Sequence, residues 1–164
     1  MYLYMQYLTR MVQGSLIVKP NNITDQIAGE CLMGRIRMIT RVLTGIYEEE
    51  LRPFGLKASQ LNLLVVVAKA GPVRRIDIGK MLNLDPSTLT RNLRVMLAQG
   101  WIEERRGGDD GRGDPLRITV KGQHLLERIG PAWRKAQART RRLLGEHGET
   151  IVRKLSDKLM TGNA

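Results

Sequence analysis

The sequence predicts a mainly α-helical protein with one small β-hairpin, and three observations predict it. Apolar residues recur at helical spacing before residue 100 and again after residue 120, while residues 116–120 alternate strictly between apolar and polar. A glycine-rich turn, residues 107–115, joins that alternating run to a strand-like segment, residues 101–106, that begins at Trp101. Between residues 74 and 120 the order is short helix, tight turn, second helix, hairpin, which is the order of a winged helix-turn-helix. The predicted fold class is therefore a winged helix-turn-helix with a small β-hairpin wing and long terminal helices forming a dimerisation region.

Each element has its own signal. Within residues 1–22, positions 1–20 are apolar but interrupted by Arg10 and Lys19, and they lack a small-residue cleavage site. They read neither as an export signal nor as a bilayer span, so an N-terminal extension is expected there, partly disordered or packed on a partner subunit. The chain is accordingly expected to be cytoplasmic and not to engage membranes. Residues 24–50 read as one helix, because Leu32, Ile36, Ile39, Leu43 and Ile46 are spaced 4, 3, 4 and 3 like the seam of a coiled coil. At 1.5 Å per residue that helix is about 39 Å long, more than a single winged unit can cover, so residues 23–50 are expected to be a dimerisation helix.

Residues 51–120 form the expected DNA-binding domain. Residues 76–82 give the first helix of the motif, with Ile78 and Leu82 inward and Gly79 small enough for another helix to cross closely. Asn83 turns the chain, since asparagine tolerates the left-handed conformation that most residues avoid. Asp85 can cap the next helix and Pro86 suits its first turn, while Leu89, Leu93, Met96 and Leu97 repeat as one buried stripe and Gly100 ends it. Strands are expected at residues 101–106 and 116–120. Beyond them, residues 121–164 read as C-terminal dimerisation helices over residues 122–145 and 149–160, the second with Ile151, Val152, Leu155 and Leu159 on one side. Pro131 should kink or break the first. Terminal helices with apolar faces outside a compact unit predict a homodimer.

The chemistry lies on the opposite face of the helix that starts at Asp85. Ser87, Thr88, Thr90, Arg91 and Arg94, with Asn92, supply hydroxyl, amide and guanidinium groups of the kinds that reach base edges and phosphates in a major groove. Arg112 stands near the tip of the hairpin, where a guanidinium can enter the narrow minor groove. A formal net charge of +11 calls for a polyanionic partner but does not choose between DNA and an acidic membrane; the motif order chooses double-stranded DNA. Two copies about a two-fold axis would seat these helices in successive major grooves about 34 Å apart, so the expected site is an inverted repeat. The basic run Arg134, Lys135, Arg139, Arg141 and Arg142 reads as solvated surface.

Read in order, Leu84, Asp85, Pro86, Ser87, Thr88, Leu89, Thr90, Arg91, Asn92 and Leu93 are followed by Gly100, Trp101 and Ile102. Then come Asp110, Gly111 and Arg112, and the run from Leu116 to Gly122. Together with Leu51, Arg52, Pro53, Phe54, Gly55 and Leu56, with Ser59 and Gln60, and with Ala132, Trp133, Ala136 and Gln137, this set resembles the MarR transcriptional regulators over about residues 26–145. The resemblance implies a homodimeric DNA-binding regulator, usually a repressor released from its operator by a small molecule or by oxidation. It also implies that Asp110 accepts a hydrogen bond from Arg112 and holds it in place. The chain departs from the pattern in the glycines that loosen its wing. It departs again in Arg74 and Arg75, which stand where relatives often carry a capping Ser or Thr.

Other function classes find little to build on. His124 and His147 are the only histidines and Cys31 the only cysteine, so no metal quartet or cysteine–histidine pair can be drawn, and no glycine-rich phosphate motif with lysine is present. Neither enzymatic activity nor a cofactor is expected. Cys31 carries one alternative, a redox-sensing regulator of the kind the resemblance includes. A basic winged-helix module that touches protein or RNA is another, and it differs from the sequence-specific DNA-binding regulator in what Arg91 and Arg112 do. A small-molecule effector, a small aromatic acid among the candidates, is expected between the long first helix and the winged unit, with no polar cluster to name it.

Overall fold

The computed structural model describes residues 22–105 and 114–161, and the chain divides into two compact units, Met1–Val42 and Leu43–Ala164. Among the described residues the elements are α1 (Ile23–Glu30), α2 (Leu32–Leu51), a 3-10 turn (Arg52–Phe54), α3 (Ala58–Ala70), α4 (Arg75–Leu82), α5 (Pro86–Ala98), β1 (Ile102–Glu104), β2 (Leu116–Ile118), α6 (Val120–Arg128) and α7 (Gly130–Met160). This is the predicted mainly α fold with one small antiparallel hairpin.

The first unit corrects one expectation. In place of a single helix over residues 24–50, the chain leaves helical geometry at Cys31, with φ −64° and ψ 104°. Gly29 and Gly34 flank the break and lower helix propensity on both sides. New partners then hold it: the Arg35 guanidinium donates to the Gly29 carbonyl, and the Gly34 amide donates to Cys31 Sγ at 3.4 Å. The 4-3-4-3 spacing begins only at Leu32, immediately after the break, and Ile27, five residues earlier, does not continue it. At the other end Asn22 caps α1, its side-chain oxygen accepting from the Asp25 amide at 3.0 Å. None of the described residues of this unit is buried, and Leu32 and Ile36 are 72% and 61% exposed.

The second unit is built around α3. Gln60 opens it by accepting the Lys57 amide at 2.9 Å, and its buried side presents Leu61, Leu63, Leu64 and Val67. Against this face lie Leu51 from the end of α2, Leu56, Ile78 of α4, Leu93 and Met96 of α5, Ile102 and Leu116 of the hairpin, and Leu125 and Ile129 around α6. Fully burying one such side chain contributes about 1.5–3 kcal/mol, so the apolar stripe of α5 fixes its position as firmly as its caps do.

The hairpin pairs Ile102 with Ile118, Glu103 with Arg117 and Glu104 with Leu116. Val73 adds a bridge on the far side of β2, exchanging hydrogen bonds of 2.9 and 2.8 Å with Leu116. Both strands are shorter than the sequence suggests. The second stops at Ile118 because Thr119 turns to cap α6: its hydroxyl accepts the Gly122 amide at 3.0 Å and donates to the Gly100 carbonyl at 2.7 Å. Gly122 itself admits no side chain, since a Cβ there would sit 2.1 Å from the Trp101 carbonyl oxygen.

Pro131 acts as expected and lies in the first turn of α7, so the helix expected over residues 122–145 is two, separated at Ile129. A second interruption at Gly145, φ 65° and ψ 171°, divides α7 where two helices were expected to meet. The basic run on α7 is less idle than a solvated surface. Lys135 and Arg139 reach Glu50 at 3.0 and 2.8 Å, Arg139 also reaches Glu49 at 2.9 Å, and the Tyr47 hydroxyl donates to Gln137. Lys135 first, and Arg139 with it, hold the Glu50 carboxyl below the usual carboxylate range. No described helix is long and apolar enough to cross a membrane.

Candidate nucleic-acid interface

The turn that presents α5 is set by local chemistry. Asn83 occupies the left-handed region at φ 48° and ψ 47°, closing α4 with bonds back to Gly79 and Lys80. Gly79 lets α5 approach, since a Cβ there would already be 3.4 Å from the Leu89 side chain. Asp85 then starts α5: its carboxylate accepts the Ser87 hydroxyl at 2.6 Å and the Thr88 amide at 2.9 Å. Those bonds, Ser87 first and Thr88 next, hold its carboxyl well below the ordinary value of 3.8.

With Leu89, Leu93 and Met96 in the core, the remaining surface of α5 faces away from the unit. Ser87, Thr90, Arg91 and Arg94 are all exposed on one side of the helix, and Thr88 is half-buried at its margin. Among the described residues neither Arg91 nor Arg94 meets a carboxylate within ion-pair distance. Two guanidiniums and the Thr90 hydroxyl supply donors on about two turns, and the Ser87 oxygen, whose proton goes to Asp85, remains an acceptor; the set suits the acceptor oxygens and nitrogens of a polyanion.

Asn92 departs from the reading made of it. It is 8% exposed, its amide donates to the Thr88 carbonyl at 2.9 Å, and its Oδ1 accepts from Ser59 of α3 at 3.2 Å. At 3.6 residues per turn it lies about 140° round the helix from Ser87, toward the apolar stripe. It therefore ties α5 to α3 and lies off the outward face of α5.

The arginines at the start of α4 also have partners. Arg74 meets Asp77 at 2.9 Å, and Arg75 pairs with Glu104 of β1. Arg74 stands at the cap position without a side-chain cap bond, so the helix opens on the ion pair to Asp77 in place of a hydroxyl. The Arg75–Glu104 pair joins residues 29 apart, and no local pattern in the sequence signals it. The wing is described as far as its base, where the Arg105 amide donates to the Pro115 carbonyl at 2.9 Å and Arg117 meets Glu103 at 2.6 Å. Asp110 and Arg112 lie outside the described residues.

Cys31 is half-buried at the break between α1 and α2, with its sulfur engaged by the Gly34 amide. Among the described residues no group of three His, Cys, Asp or Glu side chains could hold a metal ion. The second unit carries open clefts of its own. One, of about 500 Å³, is lined by apolar residues that include Leu61, Val65, Leu82, Ile129 and Trp133. Another, of about 560 Å³, lies where Phe54, Trp101 and α6 meet.

A family model described as the MarR family matches residues 54–113. The chain is 31% identical over 98 residues to an uncharacterised HTH-type transcriptional regulator of Bacillus subtilis, YwoH, covering 60% of this chain and 71% of that protein. It is 30% identical over 96 residues to the multiple antibiotic resistance protein MarR of Salmonella typhimurium, covering 58% and 67%. Among solved structures, a mutant Escherichia coli MarR complexed with operator DNA superposes with a TM-score of 0.73 at 21% identity, covering 85% of this chain and 99% of that one. The Mycobacterium tuberculosis transcriptional regulator MosR superposes with a TM-score of 0.67 at 26% identity, covering 82% and 96%.

Proposed function

The chain belongs to the MarR family of transcriptional regulators, and from that premise we propose that it is a homodimeric repressor that binds an inverted repeat in double-stranded DNA. The observation that carries this reading is the outward face of α5, where Ser87, Thr90, Arg91 and Arg94 are exposed on a helix whose other side is locked in the core. Ser87, Thr90 and Arg91 face base edges in the major groove, Arg94 reaches a flanking phosphate, and Thr88 supports them from the margin. Arg112, held by Asp110, takes the minor groove, as the family resemblance implies. The operator complex of the E. coli relative supports the same use of this fold, and the net charge of +11 supports a strong electrostatic share of the affinity.

A second copy of the chain supplies the dimer. Apolar residues of α1, of the first half of α2 and of the end of α7, among them Ile27, Ile36, Leu155 and Leu159, are exposed, in contrast to the closed core around α3. Two copies burying these faces would present paired α5 helices about one helical turn of DNA apart. Release by a small-molecule effector completes the reading, with action in the cytoplasm. Cys31, whose sulfur accepts a backbone amide at a helix break, is taken as a structural residue ahead of a redox sensor.

Selection of bound duplexes from a random pool tests this directly. An inverted repeat is expected among the winners. Binding indifferent to base order would overturn it in favour of a winged-helix module for protein or RNA.

A further inference from the structure

One polar group on the outward face of α5 differs in kind from its neighbours. Arg91 and Arg94 can only donate hydrogen bonds, whereas a serine hydroxyl ordinarily donates or accepts as its surroundings ask. Ser87 has lost that choice. Its proton goes to Asp85 Oδ1 at 2.6 Å, the length of an O–H bond to a charged oxygen. The carboxylate is itself fixed, since the same Oδ1 accepts the Thr88 amide at 2.9 Å as the cap of α5. Ser87 first, and Thr88 next, hold the Asp85 carboxyl well below its ordinary value, so near neutral pH it is ionised and has no proton to give back. What the exposed Ser87 side chain presents outward is therefore its lone pairs.

A bond to a charged acceptor is about twice as strong as one between neutral groups, so turning the Ser87 proton toward a keto oxygen or a ring nitrogen exchanges the stronger bond for the weaker. A phosphate would accept as strongly, but it brings a second anion against Asp85. In the major groove the groups that donate are the adenine N6 and cytosine N4 amino groups, while guanine offers N7 and O6 and thymine offers O4 and a methyl. We infer that Ser87 reads an exocyclic amino group, of adenine or of cytosine, and that Asp85 is the positioning residue that sets the polarity of this reading. The inference rests on the proposed function for the base edge opposite Ser87, and it narrows that function. Each copy of the chain requires adenine or cytosine on the strand facing Ser87, and Arg91, at i+4 on the same helix, requires an acceptor edge such as that of guanine. The outward face of α5 thus makes opposite demands one turn apart.

The duplex selection is run side by side with the full chain and with Ser87→Ala, a change at an exposed hydroxyl. The unaltered protein should hold adenine or cytosine at one position of each half-site, and Ser87→Ala should accept all four bases there while keeping the rest of the site. Fluorescence anisotropy on the winning duplex then isolates the group. Unsubstituted purine in place of that adenine, or 2-pyrimidinone in place of that cytosine, removes the amino group alone. The unaltered protein should lose about tenfold in affinity, the scale of one hydrogen bond whose partner is left unsatisfied, and Ser87→Ala should lose nothing. Asp85→Asn keeps an acceptor for the Thr88 amide but binds the Ser87 proton as a neutral group, so the preference for amino over keto bases at that position should narrow several-fold. A merely structural cap would weaken every duplex alike, and that result overturns the role given to Asp85. A winning site unchanged in Ser87→Ala, a lost preference that proves to be for guanine or thymine, or equal binding of the amino-free analogue by the unaltered protein each overturns the inference and leaves the proposed function standing. Winners of the unaltered protein without base order overturn both.

Discussion

Two amphipathic helices of this chain meet opposite fates. Helix α5 buries Leu93 and Met96 completely, whereas the first half of α2 leaves Leu32, Ile36 and Ile39 exposed. Both stripes are equally plain in the sequence. Periodicity reveals that a helix has an apolar face, but what covers that face is decided by the rest of the fold or by another molecule. For α5 the cover is α3 and the hairpin. For the first unit the cover we propose is a second copy.

The largest effect that sharpens this contrast comes from the core side. Leu93→Ala removes a side chain with no exposed surface and should destabilise the protein by about 2–5 kcal/mol in denaturant unfolding, because the neighbours on α3 cannot fully collapse into the space. A loss under about 1 kcal/mol would mean that the stripe of α5 is not fixed as described.

On the other side, Ile36→Asp combined with Ile39→Asp should leave helix content intact while raising the dimer dissociation constant by about two orders of magnitude, since each charge would be trapped in a desolvated seam. Sedimentation measures it. A dimer that survives dilution unchanged would place the interface elsewhere and remove the lesson drawn from α2.

Within α5 the same comparison runs between its own two faces. Arg91→Ala should weaken operator binding by about 1–3 kcal/mol and relax base preference with little change in stability. Asn92→Ala should do the reverse: a stability loss of about 1 kcal/mol, from leaving the Ser59 hydroxyl without its acceptor, and an unchanged ranking of duplexes. Fluorescence anisotropy on a panel of single-base variants separates the two. Altered base ranking in Asn92→Ala would return it to the residues we propose contact bases.

These residues also show what the sequence could and could not make legible. Turns were readable wherever one side chain carries its own signal, as with Asn83 at φ 48°, Asp85 and Pro86 at the start of α5, and Pro131 at the start of α7. The outward face of α5 was readable for Ser87, Thr90, Arg91 and Arg94 because each lies well away from the stripe. Asn92 was not, because it sits at the border where a polar residue can face either way, and only Ser59, 33 residues earlier, decides it. The break at Cys31 had a faint signal, since the 4-3-4-3 spacing starts only at Leu32 and Ile27 lies five residues before it, but no proline stands there to end a helix. Thr119 was hidden because it suits a strand by propensity and a cap by hydrogen bonding, and the Gly100 and Trp101 carbonyls decide in favour of the cap. The pairs Arg75 with Glu104 and Arg139 with Glu49 and Glu50 join residues far apart in sequence, which no local pattern records.

The smallest effect concerns the start of α5, where cap and charge can be separated. The Asp85 carboxyl is held well below its ordinary 3.8 by the Ser87 hydroxyl and then Thr88, so the folded state binds a proton there less readily than the unfolded chain. A depressed folded value means that this contribution is fully present above about pH 4 and is lost as the pH falls through the lowered value. Asp85→Asn keeps an acceptor for the Thr88 amide but does not titrate. Its melting temperature near neutral pH should lie within a few degrees of the original, and its decline in acid should be shallower. Thermal unfolding followed from about pH 7 down to about pH 2 measures both. Parallel acid declines in the two proteins would show that the cap of α5 holds through geometry alone, as Asn22 holds α1, and that its charge contributes nothing to where the outward face of α5 points.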